Sequence, residues 1–463
     1  MSADDNHPSR AGLRGSAGLI ARLFRLARDP AMRGIAGVFA LKCSIIGVNF
    51  ALVMVAARVL DTEHFGVFSI LFSAAGLFCI VATFGQQMTI MRWWNEYAAA
   101  NDPAKLKGAL RFSITTCIIG CAIVAAGFYT WAASTHATIL AVAVTLYLVA
   151  QAGSLTSSHL VRTAIGVGAG DGYGNLFVFF PALIYLAMSL FAGKTASVST
   201  VFFLFSAGAL AAILLHFVFI WRKLHALYPG IASVRPRYDF HNWNARSFKL
   251  WISNGLEASN QYLDVLIIGY LMSPAVAGAY FVTTRLANAF ATASDTMHMF
   301  STRHIPDLYY RGEFKKLNSL LDSVAGITLA VVVVGMAVIL AGGHWFLMIF
   351  NDAYVPYYPA LALLCFGTAA VAAAGPSGSI LMLTGHEGRY LKIIATTVLI
   401  RAVGFFTLIP AHGIMGAVAA TTISFIFMAG MLRHSSKRLT GLDGSVARLV
   451  TRRRLLAYAT PAE

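Results

Sequence analysis

Residues 60–68, LDTEHFGVF, and residues 272–280, MSPAVAGAY, decide how this chain is read. Each closes one long apolar run and opens the next. Each places a leucine or methionine, a glycine six positions on and an aromatic ring two further: Leu60, Gly66 and Phe68, then Met272, Gly278 and Tyr280. The displacement of 212 residues also carries Tyr97 onto Tyr309, where EYAAANDPAKL (96–106) is echoed by LYYRGEFKKL (308–317). Chance similarity among short loops of biased composition is the plain alternative. Agreement over two successive features favours an internal repeat. Six apolar runs per copy is an even number, so both copies have the same orientation. That implies a pseudo-two-fold axis along the membrane normal and a site between the copies.

Outward from these hairpins, twelve apolar runs fill residues 34–432: 34–57, 65–90, 112–133, 137–160, 175–192, 197–221, 248–271, 276–300, 322–342, 358–383, 390–409 and 413–432. A spanning helix needs about 20 residues. The chain of 463 residues is 58% hydrophobic and only 12% charged, where a soluble protein carries about 25%. Most of the surface must therefore face lipid. The expected fold is an all-α polytopic membrane protein of about 12 transmembrane helices in two six-helix lobes. The expected organisation is a basic amphipathic segment (1–33), a first lobe (34–221), a cytoplasmic linker (222–247), a second lobe (248–432) and a basic tail (433–463). In the first segment Leu19, Ile20, Leu23, Phe24 and Ala27 share a helical face, Arg22, Arg25 and Arg28 surround the other, and Pro30 ends the helix. Such a helix lies on a membrane surface; binding a regulatory partner is the sharper alternative.

A net charge of +16 would suit a nucleic-acid binder, but its distribution says otherwise. With the N-terminus in the cytoplasm, nearly all of the 35 Lys and Arg fall in the tails and the even-numbered connections. Arg58 and Lys194 are left outside, and Lys42, Arg285 and Arg401 lie within spans. This asymmetry is the positive-inside rule. It places both termini in the cytoplasm of a bacterial inner membrane and leaves no role for nucleic acid. The run starting near residue 34 is too long for a cleavable signal and reads as a permanent first span.

An ionisable residue within a span costs at least ~2.5 kcal/mol, so it needs a partner, a wet cavity or a task. Span eight carries Arg285, Asn288, Thr292 and Asp295, and span seven carries Asn254, Glu257, Gln261 and Asp264, both at spacings of three, four and three. Each set falls on one helical face. At about 1.5 Å per residue Arg285 lies near mid-depth. Span one adds Lys42 and Asn49, and span eleven adds Arg401. The functional reading is a hydrophilic chamber in which Arg285, Lys42 and Arg401, with Asn288, Asn49 and Gln261, bind an anionic head group, since guanidinium forks match phosphate oxygens. Glu257, Asp264 and Asp295 would tune those cations or carry protons. The plainer reading is internal ion pairing that holds spans seven and eight together. The uncharged stripe on span four, Tyr147, Gln151, Ser154 and Ser158, reads as helix-to-helix glue. Gly375-Pro376 and Gly413/Gly416 read as bends or close-packing points.

No catalytic or cofactor motif is complete. GVGAGDGYG (166–174) reads as a glycine-rich cytoplasmic loop, but lacks the Gly-Lys-Ser/Thr of a nucleotide loop, and His386-Glu387 lacks a second zinc-binding histidine. The five cysteines all lie within spans, which suits neither a disulfide staple nor a metal site. A glycan polymerase, ligase or lipid-dependent glycosyltransferase needs a large outer loop, and none is present. Asp61 with Glu63 is the only close acidic pair there and reads as a polar hairpin turn. No enzymatic activity and no cofactor are expected.

The stretch AARVLDTEHFGVFSILFSAAGLFCIVATFGQQMTIMRWWNEYAAAND resembles the opening hairpin of the oligosaccharide-lipid flippases, the Wzx-type transporters of the multidrug/oligosaccharidyl-lipid/polysaccharide (MOP) superfamily. DVLIIGYLMSPAVAGAYFVTTRLANAF, the Pro306–Tyr309 loop, YVPYYPALALLCFGTAA and LMLTGHEGRYL continue the pattern across nearly the whole chain. The resemblance implies two V-shaped lobes that move undecaprenyl-diphosphate-linked repeat units outward for surface polysaccharide synthesis. It implies as partners a polyprenyl-diphosphate-linked glycan, membrane lipids, and polysaccharide polymerase and export proteins. Family members carry cavity cations, which Lys42, Arg285 and Arg401 would supply. The alternatives are a lipid II flippase and a cation-coupled multidrug antiporter of the same superfamily. The antiporters use a buried acid early in the first lobe, whereas span one carries Lys42 and spans one to six show no mid-span carboxylate. The orientation is directly testable: alkaline phosphatase fused after Lys194 should be active, and fused after Gly230 inactive. The reverse pattern would invert the topology.

Overall fold

The computed structural model describes residues 30–289, 291 and 304–450. Among them there is helix and turn but no strand. The amphipathic segment read at 1–33 lies largely outside the described residues, and residues 451–463 of the basic tail, Thr292 and Asp295 lie wholly outside them. In chain order the helices are α1 (Pro30–Val59), α2 (Thr62–Ala82), α3 (Gln86–Ala99), α4 (Pro103–Thr135), α5 (Thr138–Ala164), a π-helical turn (Gly168–Gly172), α6 (Tyr173–Phe191), α7 (Val198–Leu227), α8 (Phe240–Leu271), α9 (Pro274–Ala287), α10 (Phe314–Phe350), a 3-10 turn (Asp352–Tyr357), α11 (Tyr358–Ala373), α12 (Ser377–Leu383) and α13 (Glu387–Thr440). Residues 304–310 are also helical. Pro30 opens α1, as suits a residue with no N–H to satisfy.

Local chemistry sets the hairpins. The Asp61 carboxylate accepts from the His64 N–H at 2.7 Å and starts α2. Ser273, which stands 212 residues on, accepts from the Val276 N–H at 3.4 Å and starts α9, with Pro274 in the first turn. The repeat read from sequence thus reappears as two equivalent helix caps. Asp102 caps α4 in the same way, holding the Lys105 N–H at 3.0 Å ahead of Pro103.

Among the described residues nine helical segments are long and apolar enough to cross a membrane. The difference from twelve has a local origin. α13 holds two of the expected spans in one element, broken at Gly413 (φ 57°, ψ −137°), where a side chain would be strained. α8 is too polar to qualify, and α9 ends at Ala287 where description of the chain is about to stop. Two expected spans are interrupted. The run 65–90 breaks between α2 and α3 at Phe84 and Gly85, and the run 358–383 breaks between α11 and α12 at Gly375, all at positive φ. Apolar periodicity does not register such breaks, because composition is continuous across them. The helices also extend into the expected linker, leaving only 228–239 between α7 and α8.

The glycine-rich stretch 166–174 is not the loop expected. Residues 168–172 form the π turn, which runs straight into α6 and makes Gly168–Phe191 one membrane-length segment. Ser158 Oγ donates to the Gly170 carbonyl at 2.8 Å, so α5 grips the turn where no Cβ intervenes.

α5 packs on α7, α4 and α3, and α6 packs on α7 and α1; α13 packs on α11, α12 and α8. These two groups meet along α2, which runs against both α8 and α9. At one end the repeated glycines touch: a Cβ on Gly278 would stand 3.1 Å from Gly66 Cα, and one on Gly66 would collide with the Pro274 carbonyl. Phe65 and Phe281 flank the crossing with ring centroids 6.4 Å apart. At the other end α8 is bound to α2 and α3 by indoles. Trp243 Nε1 donates to the Tyr97 hydroxyl at 2.9 Å, and Trp251 Nε1 donates to the Val81 carbonyl at 2.9 Å while its ring stacks on Phe84 at 4.6 Å. Gly66→Val should force α2 and α9 apart. A loss of roughly 1–3 kcal/mol, the usual cost of overpacking, should appear as a lower thermal midpoint in detergent. An unchanged midpoint would show that the crossing tolerates separation.

Candidate functional site

A cavity of about 690 Å³ lies between the two groups, walled by α1, α2, α5, α6, α8, α9, α11 and α13. That volume falls within the usual range for ligand sites. Of the residues expected there, Arg285, Asn288, Asn49, Gln261 and Asp264 line it. Lys42, Arg401 and Glu257 do not, and Asp295 is outside the described residues.

Arg285 projects from α9 with its guanidinium carbon 4.8 Å above the Phe281 ring. Phe281 is buried and held by Phe65 and by Phe72, whose centroid is 6.2 Å away. The cation therefore rests on a rigid aromatic platform, which favours it by about 0.5–2 kcal/mol. Among the described residues no carboxylate pairs with it.

Arg401 departs from the expectation of a substrate-facing cation, because it is only 2% exposed and every face of it is occupied. Its Nη1 donates to both Asp264 carboxylate oxygens at 3.0 and 3.1 Å and to the Asn260 carbonyl at 3.0 Å. Nη2 donates to Asn260 Oδ1 at 2.8 Å, Nε donates to Ser424 Oγ at 2.9 Å, and the plane lies 4.6 Å from the Phe425 ring. The Tyr280 hydroxyl donates to Asp264 at 3.0 Å and meets Thr421 Oγ1 at 2.9 Å. One guanidinium thus ties α8 and α9 to both arms of α13. Asp264 reaches the cavity wall with its charge already neutralised.

Lys42 also departs from its expected role. Its ammonium meets Asp171 Oδ2 at 2.8 Å, and Arg162 approaches the same buried carboxylate at 3.4 Å. The pair ties α1 to the π turn. Asp171 was missed because it sits in a glycine-rich stretch that reads as solvated loop. Its signal was Asn175, one turn on, whose amide donates to the Asp171 carbonyl at 2.8 Å. Glu257 is exposed, and the Tyr390 hydroxyl lies 3.5 Å from its Oε1.

The span-four stripe divides. Ser158 is glue, as expected, whereas Tyr147 and Gln151 line the cavity. Ser73, Asn175 and Asn260 are lining residues that sequence reasoning missed. Ser73 could not be told from Ser69, one turn earlier, whose hydroxyl is spent on the Phe65 carbonyl at 2.8 Å.

No protein-family model matches the chain, and no curated protein matches its sequence. Solved structures do match its fold. An inward-facing multidrug resistance MATE transporter of the MOP superfamily superposes with a TM-score of 0.63 at 11% identity, covering 85% of this chain and 94% of that one. A MOP superfamily transporter from Pyrococcus furiosus, noted for the reversed polarity of its binding pocket, gives 0.60 at 11% identity over 90% and 97%. The lipid II flippase MurJ, in an inward closed conformation, gives 0.57 at 12% identity over 91% and 93%. The fold is that of MOP superfamily transporters.

Asp264→Leu alone should leave Arg401 buried without its counter-charge and cost roughly 3–5 kcal/mol, as broken buried pairs do. Pairing it with Arg401→Met should recover much of that loss in thermal unfolding. Equal destabilisation in the single and double variants would show that the pair is not the source.

Proposed function

We propose that this protein is an alternating-access flippase that carries a polyprenyl-diphosphate-linked oligosaccharide from the cytoplasmic to the outer leaflet of a bacterial inner membrane. The observation that carries this reading is the cavity's charge. Arg285 is its one cation without a carboxylate partner among the described residues, and it faces a space walled by amides and aromatic rings. A guanidinium in a low-dielectric site binds phosphate oxygens through paired N–H donors. The polyprenyl tail stays in lipid, for which the exposed apolar side chains Ile46 and Phe50 on the α1 edge of the cavity are suited.

In this reading the lobes, 34–221 and 248–432, rock about the Gly66–Gly278 crossing. Proton or ion exchange at Glu257 or Asp295 supplies the energy; exchange at Asp264 requires its pairing with Arg401 to open during the cycle. The matched fold occurs in both inward-facing and outward-facing transporters, which is the pair of states such a cycle needs. A lipid II flippase would use the same chemistry, and an essential phenotype would favour it.

A multidrug antiporter is the second reading, favoured by the fold of the MATE neighbours. Export of organic cations calls for an available acid. Asp171 stands in the first turn of the segment Gly168–Phe191, not at mid-span, and is met by Lys42 and Arg162, while Asp264 is met by Arg401. The unspent charge is positive, which suits an anion.

Arg285→Ala should leave the protein folded in the membrane yet stop polymer export, with lipid-linked oligosaccharide accumulating on the inner leaflet. Arg285→Lys should restore export only in part, since an ammonium lacks the planar fork. Normal export by the alanine variant would remove Arg285 from the mechanism.

A further inference from the structure

Counting what the cavity can satisfy leads past the carrier lipid to the sugar. Among the described lining residues Arg285 and Asp264 are the only Arg, Lys, Asp or Glu side chains, and Asp264 is already spent on Arg401. One positive charge is left, and the diphosphate linkage takes it. The remaining polar wall includes the amides Asn49, Asn175, Gln261 and Asn288, and Ser73 with Gln151.

Of the described buried side-chain atoms left without a partner, those of Ser73 and Gln151 belong to residues that line the cavity. Ser73 is 1% exposed, and its hydroxyl has no protein partner. Gln151 Oε1 is likewise buried without a donor. Both line the cavity, one on α2 and one on α5. A buried polar atom left unmatched costs about 1–3 kcal/mol, so a ligand that supplies the missing partner gains that amount on binding. On the same two helices Phe72 stacks with Tyr147 at 6.2 Å and 15°, and both rings line the cavity, adding an apolar face to the two polar atoms. A sugar ring has that pairing of features, with hydroxyls at its edge and C–H groups on its face.

Resting on the flippase reading, we propose that Ser73 and Gln151 form a glycan subsite and that the transported oligosaccharide is uncharged, built of hexoses or N-acetylhexosamines without uronic or other acidic sugars. Amides and hydroxyls match sugar hydroxyls in both directions, as donors and acceptors. A sugar carboxylate in the same place would be stripped of water with no second cation among the described lining residues to meet it, which is the costly case of a buried unpaired charge.

The test uses the full-length protein in lipid nanodiscs and three probes: undecaprenyl diphosphate, the same carrier bearing a neutral trisaccharide, and the trisaccharide with one hexose replaced by glucuronic acid. Binding is read from intrinsic tryptophan fluorescence against phosphatidylglycerol as control. The neutral glycan should bind about tenfold tighter than the acidic one, and tighter than the bare carrier. Gln151→Leu should shrink the advantage of the neutral glycan over the bare carrier toward one. Acidic glycan bound as well as neutral would overturn the inference while leaving the flippase reading in place. An unchanged ratio in Gln151→Leu would overturn the subsite. Failure of all three probes to exceed the control would remove the flippase reading and the inference together.

Discussion

Two helices can bring their backbones into contact only where neither carries a side chain. In this protein that happens at Gly66 on α2 and Gly278 on α9, the same position of an internal repeat. In lipid there is no hydrophobic gain from burying one apolar helix on another, so close packing of small residues must supply the association. Phe65, Phe281 and Tyr354 fill the space around the crossing. α2 remains beside α8, bound there by Trp243 and Trp251, while α1 lies with α6 and reaches α10, and the cavity opens between.

The second organising constraint is that a buried charge must be answered. The bundle answers Lys42 with Asp171 and Arg401 with Asp264. Both pairs join separate elements; Arg162 adds a second cation to the first, and Asn260, Ser424 and Tyr280 complete the hydrogen bonding of the second. Breaking the second would strand a charge in a low-dielectric interior. Arg285 sits on Phe281 with its guanidinium open to the cavity. The contrast separates scaffold from site more sharply than depth or residue type does, because all three cations look alike in the sequence.

How much was legible can be judged residue by residue. The polar stripe of α8 was visible from its spacing, and the same helix delivers Gln261 and Asp264 to the cavity. Its partners were not visible. Arg401 stands 137 residues from Asp264, and no spacing rule joins positions so far apart. Asp171 was hidden by its glycines, which signal a loop when counted and permit a tight π turn against α5 when folded. The breaks at Gly85 and Gly375 were hidden because hydropathy averages over a window wider than the break. Ser73 was hidden because a lone hydroxyl in an apolar helix ordinarily bonds its own preceding turn, and this one does not.

By itself the amino-acid sequence determined that the chain is a bundle of apolar helices, that its hairpins recur after 212 residues, and that polar atoms line one face of particular helices. Those properties are local: helix period, cap residues and hydropathy act within a few turns of chain. Which cation is left over was decided only by tertiary structure. Pairing depends on distances between helices far apart in sequence, and the energy of a charge in the membrane depends on whether a partner stands within a few ångströms.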